Sequence, residues 1–168
     1  SEFPAKFQLV AAMNPCPCGY FGDLQNPCRC SPENVRRYLN RISGPLLDRI
    51  DLRVQLSRLA ISDLVDKGSS SETSATVRAR IIKAREIQLN RSGKINADLN
   101  AIEIEKFCQF TRHEKKWIEK IIGKLYFSTR SFYRFLKISR TIADLLGDDR
   151  VEKTHLSEAL NYRWRQDR

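Results

Sequence analysis

Four cysteines crowded into a short stretch are the first residues here whose type and spacing imply chemistry. Cys16, Cys18, Cys28 and Cys30 form a C-x-C-x9-C-x-C pattern on a segment rich in Pro, Gly and Asn. Four thiolates are a complete ligand set for tetrahedral zinc, and metal-binding free energy in such a loop is folding free energy. Zinc ribbons and fingers usually space their pairs C-x2-C, and Pro17 restricts how the backbone wraps an ion, so reduced thiols and disulfides stand as the alternatives. A secreted disulfide framework fits poorly, because the cysteine total of 5 is odd. Cys108 lies in an apolar helical context and reads as a core residue. His113 and His155 have no partner at metal or catalytic spacing and read as surface or capping residues. The sequence holds no Ser/His/Asp or Cys/His nucleophile arrangement.

The elements that must position these cysteines are legible on both sides. Phe7 to Met13 is an apolar run ending at Asn14-Pro15, which suits a strand buried on both faces of a parallel sheet. Residues 14–30 cannot be regular structure and must be ordered by something other than a backbone ladder. Tyr20, Phe21 and Arg29 within that loop mix aromatic and basic character, suited to stacking on bases or to packing over a metal. Ser31-Pro32-Glu33 is a helix start, with serine as N-cap, proline at the first helical position and an acid in the first turn. That helix should run to about Arg41 and break at Ser43-Gly44-Pro45, after which the alternation of Asp51 to Leu56 reads as a strand with one wet face.

From Ser57 to Thr73 a Gly-Ser-Ser-Ser-Glu segment reads as a linker, and everything beyond it is helical by pattern. Thr73 or Ser74, Thr111 with Glu114, Ser128 and Thr154 are the expected caps, and Gly93 and Gly147 the expected stops. The fold class expected is therefore an α/β fragment, residues 4–57, followed across a linker at 58–74 by an all-α bundle, residues 75–168, predominantly helical overall. Ser1-Glu2-Phe3 reads as a cloning remnant, and the abrupt start inside an apolar run reads as a piece of a longer protein.

The 168 residues carry a net charge of +10, which favours polyanionic partners. No apolar stretch approaches the roughly 20 residues of a bilayer span, so no membrane partner is expected and a cytoplasmic location is the default.

Three stretches together resemble the magnesium-chelatase-like AAA+ ATPases of bacteria, in particular the ComM/YifB type. They are Ala11-Ala12-Met13-Asn14-Pro15-Cys16-Pro17-Cys18-Gly19, Arg37 to Leu52 containing Ser43-Gly44-Pro45-Leu46-Leu47-Asp48-Arg49-Ile50-Asp51, and Ser139-Arg140-Thr141-Ile142-Ala143-Asp144-Leu145. The resemblance implies a ring of neighbouring copies using ATP with Mg2+ to branch-migrate or remodel DNA. It also implies that this chain holds the sensor-1 strand onward and the helical lid. No G-x-x-x-x-G-K-[ST] loop or acidic Walker B strand occurs in the sequence, so the chain is not expected to hydrolyse ATP alone.

By that resemblance Asn14 occupies the sensor-1 position, where a neutral amide holds the attacking water or touches the γ-phosphate without adding charge. Arg49 occupies the arginine-finger position, where a guanidinium stays charged and bonds two phosphoryl oxygens as charge builds. Arg41 is a further interface candidate. Arg130, with Arg134 one turn on as its competitor, occupies the sensor-2 position. Taken alone, Asn14 is a turn former, Arg49 one half of a solvated Asp-Arg pair, and Arg130 an exposed arginine. The contrasting function is a stand-alone zinc-dependent nucleic-acid-binding module.

Overall fold

A computed structural model describes residues 7–56, 72–125 and 127–162. The chain divides into two compact units, Ser1–Arg49 and Ile50–Arg168. Most of the expected linker lies outside the described residues.

In the first unit two short helices follow the cysteine loop: α1, Pro32–Leu39, and α2, Gly44–Leu47. Ser31 caps α1 by accepting the Asn34 N–H at 3.3 Å, with Pro32 in the first turn as its fixed φ favours. Ser43 caps α2 in the same way through Leu46 N–H. The buried apolar groups of this unit are few: Cys16 is fully buried and Val35 nearly so.

The second unit is helical throughout its regular structure. Helix α3 spans Ser74–Ser92, capped by Thr73 and stopped at Gly93, whose φ of 71° is the left-handed conformation that glycine adopts without penalty. A 3-10 turn at Asn96–Asp98 leads to α4, Ala101–Phe107, opened by a reciprocal Asn100/Glu103 capping box. Helix α5 spans Arg112–Leu125 behind the expected Thr111/Glu114 box. Helix α6, Thr129–Leu146, is capped by Ser128 and ended by Gly147 at φ 82°. Helix α7 spans Lys153–Asn161. Its cap is Glu152 rather than the expected Thr154: the Glu152 N–H is accepted by His155 Nδ1 at 2.9 Å. That bond leaves His155 Nε2 as the protonated nitrogen, donating to Asp148 at 2.9 Å.

Helix α6 is the axis of the unit. Phe135, Leu136, Ile142 and Ala143 meet Ile104, Ile118, Val151 and Leu156 in one apolar cluster, with Cys108 buried among them as expected. Desolvation there raises the Cys108 thiol to about 12. Beside this cluster is a buried polar one. Asp144 accepts two bonds from Arg91, at 2.6 and 2.8 Å, one from Asn96 at 2.8 Å and one from Arg140 at 3.1 Å. Arg140 also donates to the carbonyls of Asp148 and Asp149, so a residue from the third family-like stretch locks the end of α6.

The strands expected over 7–13 and 51–56 are not formed; no strand is present among the described residues. A strand needs an adjacent strand for its hydrogen bonds, and neither segment has one here. Residues 7–14 are exposed, Phe7 at 75% and Val10 at 84%. Arg53 instead gives its N–H to the Tyr162 carbonyl at 2.8 Å, tying this segment to the end of α7.

Candidate metal centre

The loop between Asn14 and Ser31 turns back on itself by two local devices. Gly19, at φ 83°, closes a turn in which its N–H is accepted by the Cys16 carbonyl at 3.0 Å. Asp23 then accepts the N–H groups of Gln25 at 2.7 Å and Asn26 at 3.1 Å, an Asx turn that returns the chain toward the first cysteine pair.

Those turns bring the four sulfurs together. Cys16 Sγ lies 3.3 Å from Cys18 Sγ and 3.7 Å from Cys28 Sγ, and Cys18 and Cys28 are 3.6 Å apart. With Cys30 included, all four lie within 4.8 Å of one another. The cysteines are free, and no separation approaches the roughly 2.05 Å of a disulfide. Zinc at about 2.3 Å from each of four sulfurs requires sulfur separations of about 3.8 Å, so the donor set fits the ion in number, chemistry and spacing.

The backbone favours thiolate unevenly across the cluster. The Tyr20 N–H, assisted by that of Arg29, lowers Cys18 to about 6. Desolvation raises Cys30 to about 12, against an opposing backbone bond from Cys18. At Cys28 the Cys30 N–H acts to lower the thiol, but desolvation and the Cys18 and Cys16 sulfurs outweigh it. Several sulfurs this close cannot all ionise without a cation among them, as expected of a metal-binding set.

Of the residues expected to meet nucleotide, Asn14 and Arg49 belong to the first unit and Arg130 and Arg134 to the second. Asn14 is exposed beside the loop. Arg49 is exposed just beyond α2, its Nη1 donating to the Pro45 carbonyl at 2.8 Å. Arg130 is exposed in the first turn of α6, whereas Arg134 is bound to Asp51 at 2.9 Å. The sequence reading missed the Arg91–Asp144–Arg140 cluster. Arg140 and Asp144 at i, i+4 were its visible signal, but Arg91 joins across 53 residues.

A two-helix-plus-cysteine-loop unit followed by a helical bundle organised on one central helix defines a class, and family comparison identifies it. Residues 1–64 match the model for magnesium chelatase, subunit ChlI, and residues 71–163 match that for the C-terminal part of the same subunit. The chain belongs to this magnesium chelatase family. It is 50% identical over 162 residues to competence protein ComM of Haemophilus influenzae, covering 96% of this chain and 31% of that protein. It is 44% identical over 161 residues to protein YifB of Salmonella typhimurium, with the same coverage. A protein of Mycobacterium bovis, Mb2921c, is 33% identical over 165 residues, which is 96% of this chain and 32% of that one. The chain thus spans about a third of the length of these relatives.

Proposed function

We propose that this chain is the C-terminal part of a ComM/YifB-type AAA+ ATPase, supplying ATP-contacting residues to a ring that remodels or branch-migrates DNA. The observation that carries the reading is the continuous family match, on either side of residues 65–70, in a chain spanning 31% of its ComM relative. Asn14 acts as sensor 1, orienting the attacking water through its neutral amide. Arg49 is donated to ATP on a neighbouring copy. Its exposure and its bond to the Pro45 carbonyl suit a guanidinium that must reach outward to a new partner. Arg130 rather than Arg134 serves as sensor 2, because Arg134 is already engaged by Asp51 and Arg130 is exposed at the start of the lid's central helix. ATP with Mg2+ supplies the phosphoryl group, and these side chains position it and offset its developing charge.

In this reading the exposed apolar run 7–13 is the sensor-1 strand of an α/β core whose remaining strands belong to the rest of the longer protein. The cysteine loop is a zinc-held insertion on that strand: Cys16, Cys18, Cys28 and Cys30 hold the ion and the ion orders the loop.

The test is Arg49→Ala in the longer protein. ATP turnover should fall by about 10³-fold or more, the scale of an arginine finger, while nucleotide binding stays nearly unchanged. Turnover at the wild-type rate would remove the assignment. Arg130→Ala should weaken turnover more than Arg134→Ala.

A further inference from the structure

Helix α5 carries a line of cations that its own fold does not use. Arg112, Lys116, Lys120 and Lys124 recur at i, i+4 and are all exposed. Like charges at this spacing repel one another along a helix, and Arg112 also sits in the first turn, where the helix dipole disfavours a cation. No ion pair joins any of the four to another described residue. Gly123 flanks this stripe, one turn on from Lys120, with nothing within 4 Å of where a Cβ would stand. A glycine inside a helix is unfavourable relative to alanine, and no neighbour here requires it. Three locally unfavourable choices therefore share one face of one helix.

We propose that this stripe binds the phosphate backbone of nucleic acid. The proposal deepens the reading above and rests on its DNA half. Twelve residues at about 1.5 Å each place the four cations along about 18 Å, the span of about five phosphates at 3.4 Å per step of one strand. Gly123 leaves bare helix surface alongside the last two lysines, where a backbone can approach closely. An anionic membrane is the poorer partner. A helix lying on lipid buries an apolar face, and α5 spends its apolar face on the core, with Ile118 buried and Trp117 and Ile122 packed against the same cluster. The recognition is of charge and not of base, so it carries no sequence preference.

The experiment is a salt titration of binding to a random-sequence DNA duplex by the present chain and by its Lys116→Gln/Lys120→Gln variant, with thermal unfolding of both. The wild type should show a log–log salt slope of about −3.6 for four contacts, and the variant a slope shallower by about 2 with affinity down about tenfold or more. The variant should melt no lower than wild type, since it removes repulsion; a merely structural role would instead lower its melting temperature. Gly123→Ala should raise the melting temperature and weaken binding. Wild-type binding with an unchanged slope in the variant would overturn the stripe and leave the DNA reading standing. No DNA binding by the wild type would overturn the stripe, while the ATPase reading would still be judged by Arg49. Binding to phosphatidylserine vesicles without binding to DNA would also overturn it.

Discussion

The two units of this chain solve the same problem in different ways. Residues 50–162 build an apolar cluster around α6 and close their helix ends with serine, threonine, asparagine and glutamate caps. Residues 7–49 have two helices, of 8 and 4 residues, and a loop whose best buried side chain is a cysteine. Helices so short are not stable by themselves, and small units with little core ordinarily rely on metal or disulfide staples. The difference teaches where the cysteines belong in the energetics: in the first unit they stand where the second has Leu136, Ile104 and Leu156.

That contrast is broken most severely by removing cysteines of the cluster. Cys16→Ser with Cys28→Ser should abolish order in the first unit, on the scale of about 10–16 kcal/mol for structural zinc, and leave the helical unit folded. Limited proteolysis confined to residues 7–49, with far-UV helicity largely retained, is the expected readout. Next in size, Asp144→Ala strands the buried Arg140 and the half-buried Arg91 and should destabilise the second unit by about 3–5 kcal/mol in chemical denaturation, without altering metal content. Leu136→Ala should cost about 2–5 kcal/mol in the same assay through its cavity. Ser128→Ala removes the cap of the central helix and should cost about 1 kcal/mol.

The smallest effect is a pH dependence. The Lys94 ammonium, followed by the Asn100 N–H, holds Glu103 below the usual carboxylate range. Its folded pKa is therefore depressed relative to the unfolded value of about 4.3, so its contribution is fully present above that value and is lost as pH falls through the folded one. Denaturation midpoints of wild type and Glu103→Gln should converge as pH drops from about 6 to about 3. Parallel curves would remove Glu103 from the account.

The helical half was legible because its signals are local. Thr73, Thr111, Ser128, Gly93 and Gly147 act within one turn of where they stand, so they mark caps and stops without knowledge of the fold. The α7 cap was placed at Thr154 because Glu152 works through the ring of His155, a residue that reads as surface or capping and is a buried part of the cap. The strands over 7–13 and 51–56 were read from alternation and apolarity, properties that state what a segment would do beside a partner strand and say nothing of whether one is present. The cysteine cluster was legible as a ligand count, but its closure depends on the Gly19 turn and the Asp23 Asx turn. Of the two arginines on Asp144, Arg140 stands at i, i+4 on the same helix and was visible in the sequence, whereas Arg91 lies 53 residues away on another helix and was not.

The central claim, that an ion held by four thiolates orders the first unit, is tested most directly by counting metal and thiols on the purified chain. The account predicts one zinc per chain, with Cys16, Cys18, Cys28 and Cys30 becoming reactive together only after chelation, and Cys108 only on unfolding. Four thiols reactive at once in a metal-free chain that keeps its first unit folded would contradict it.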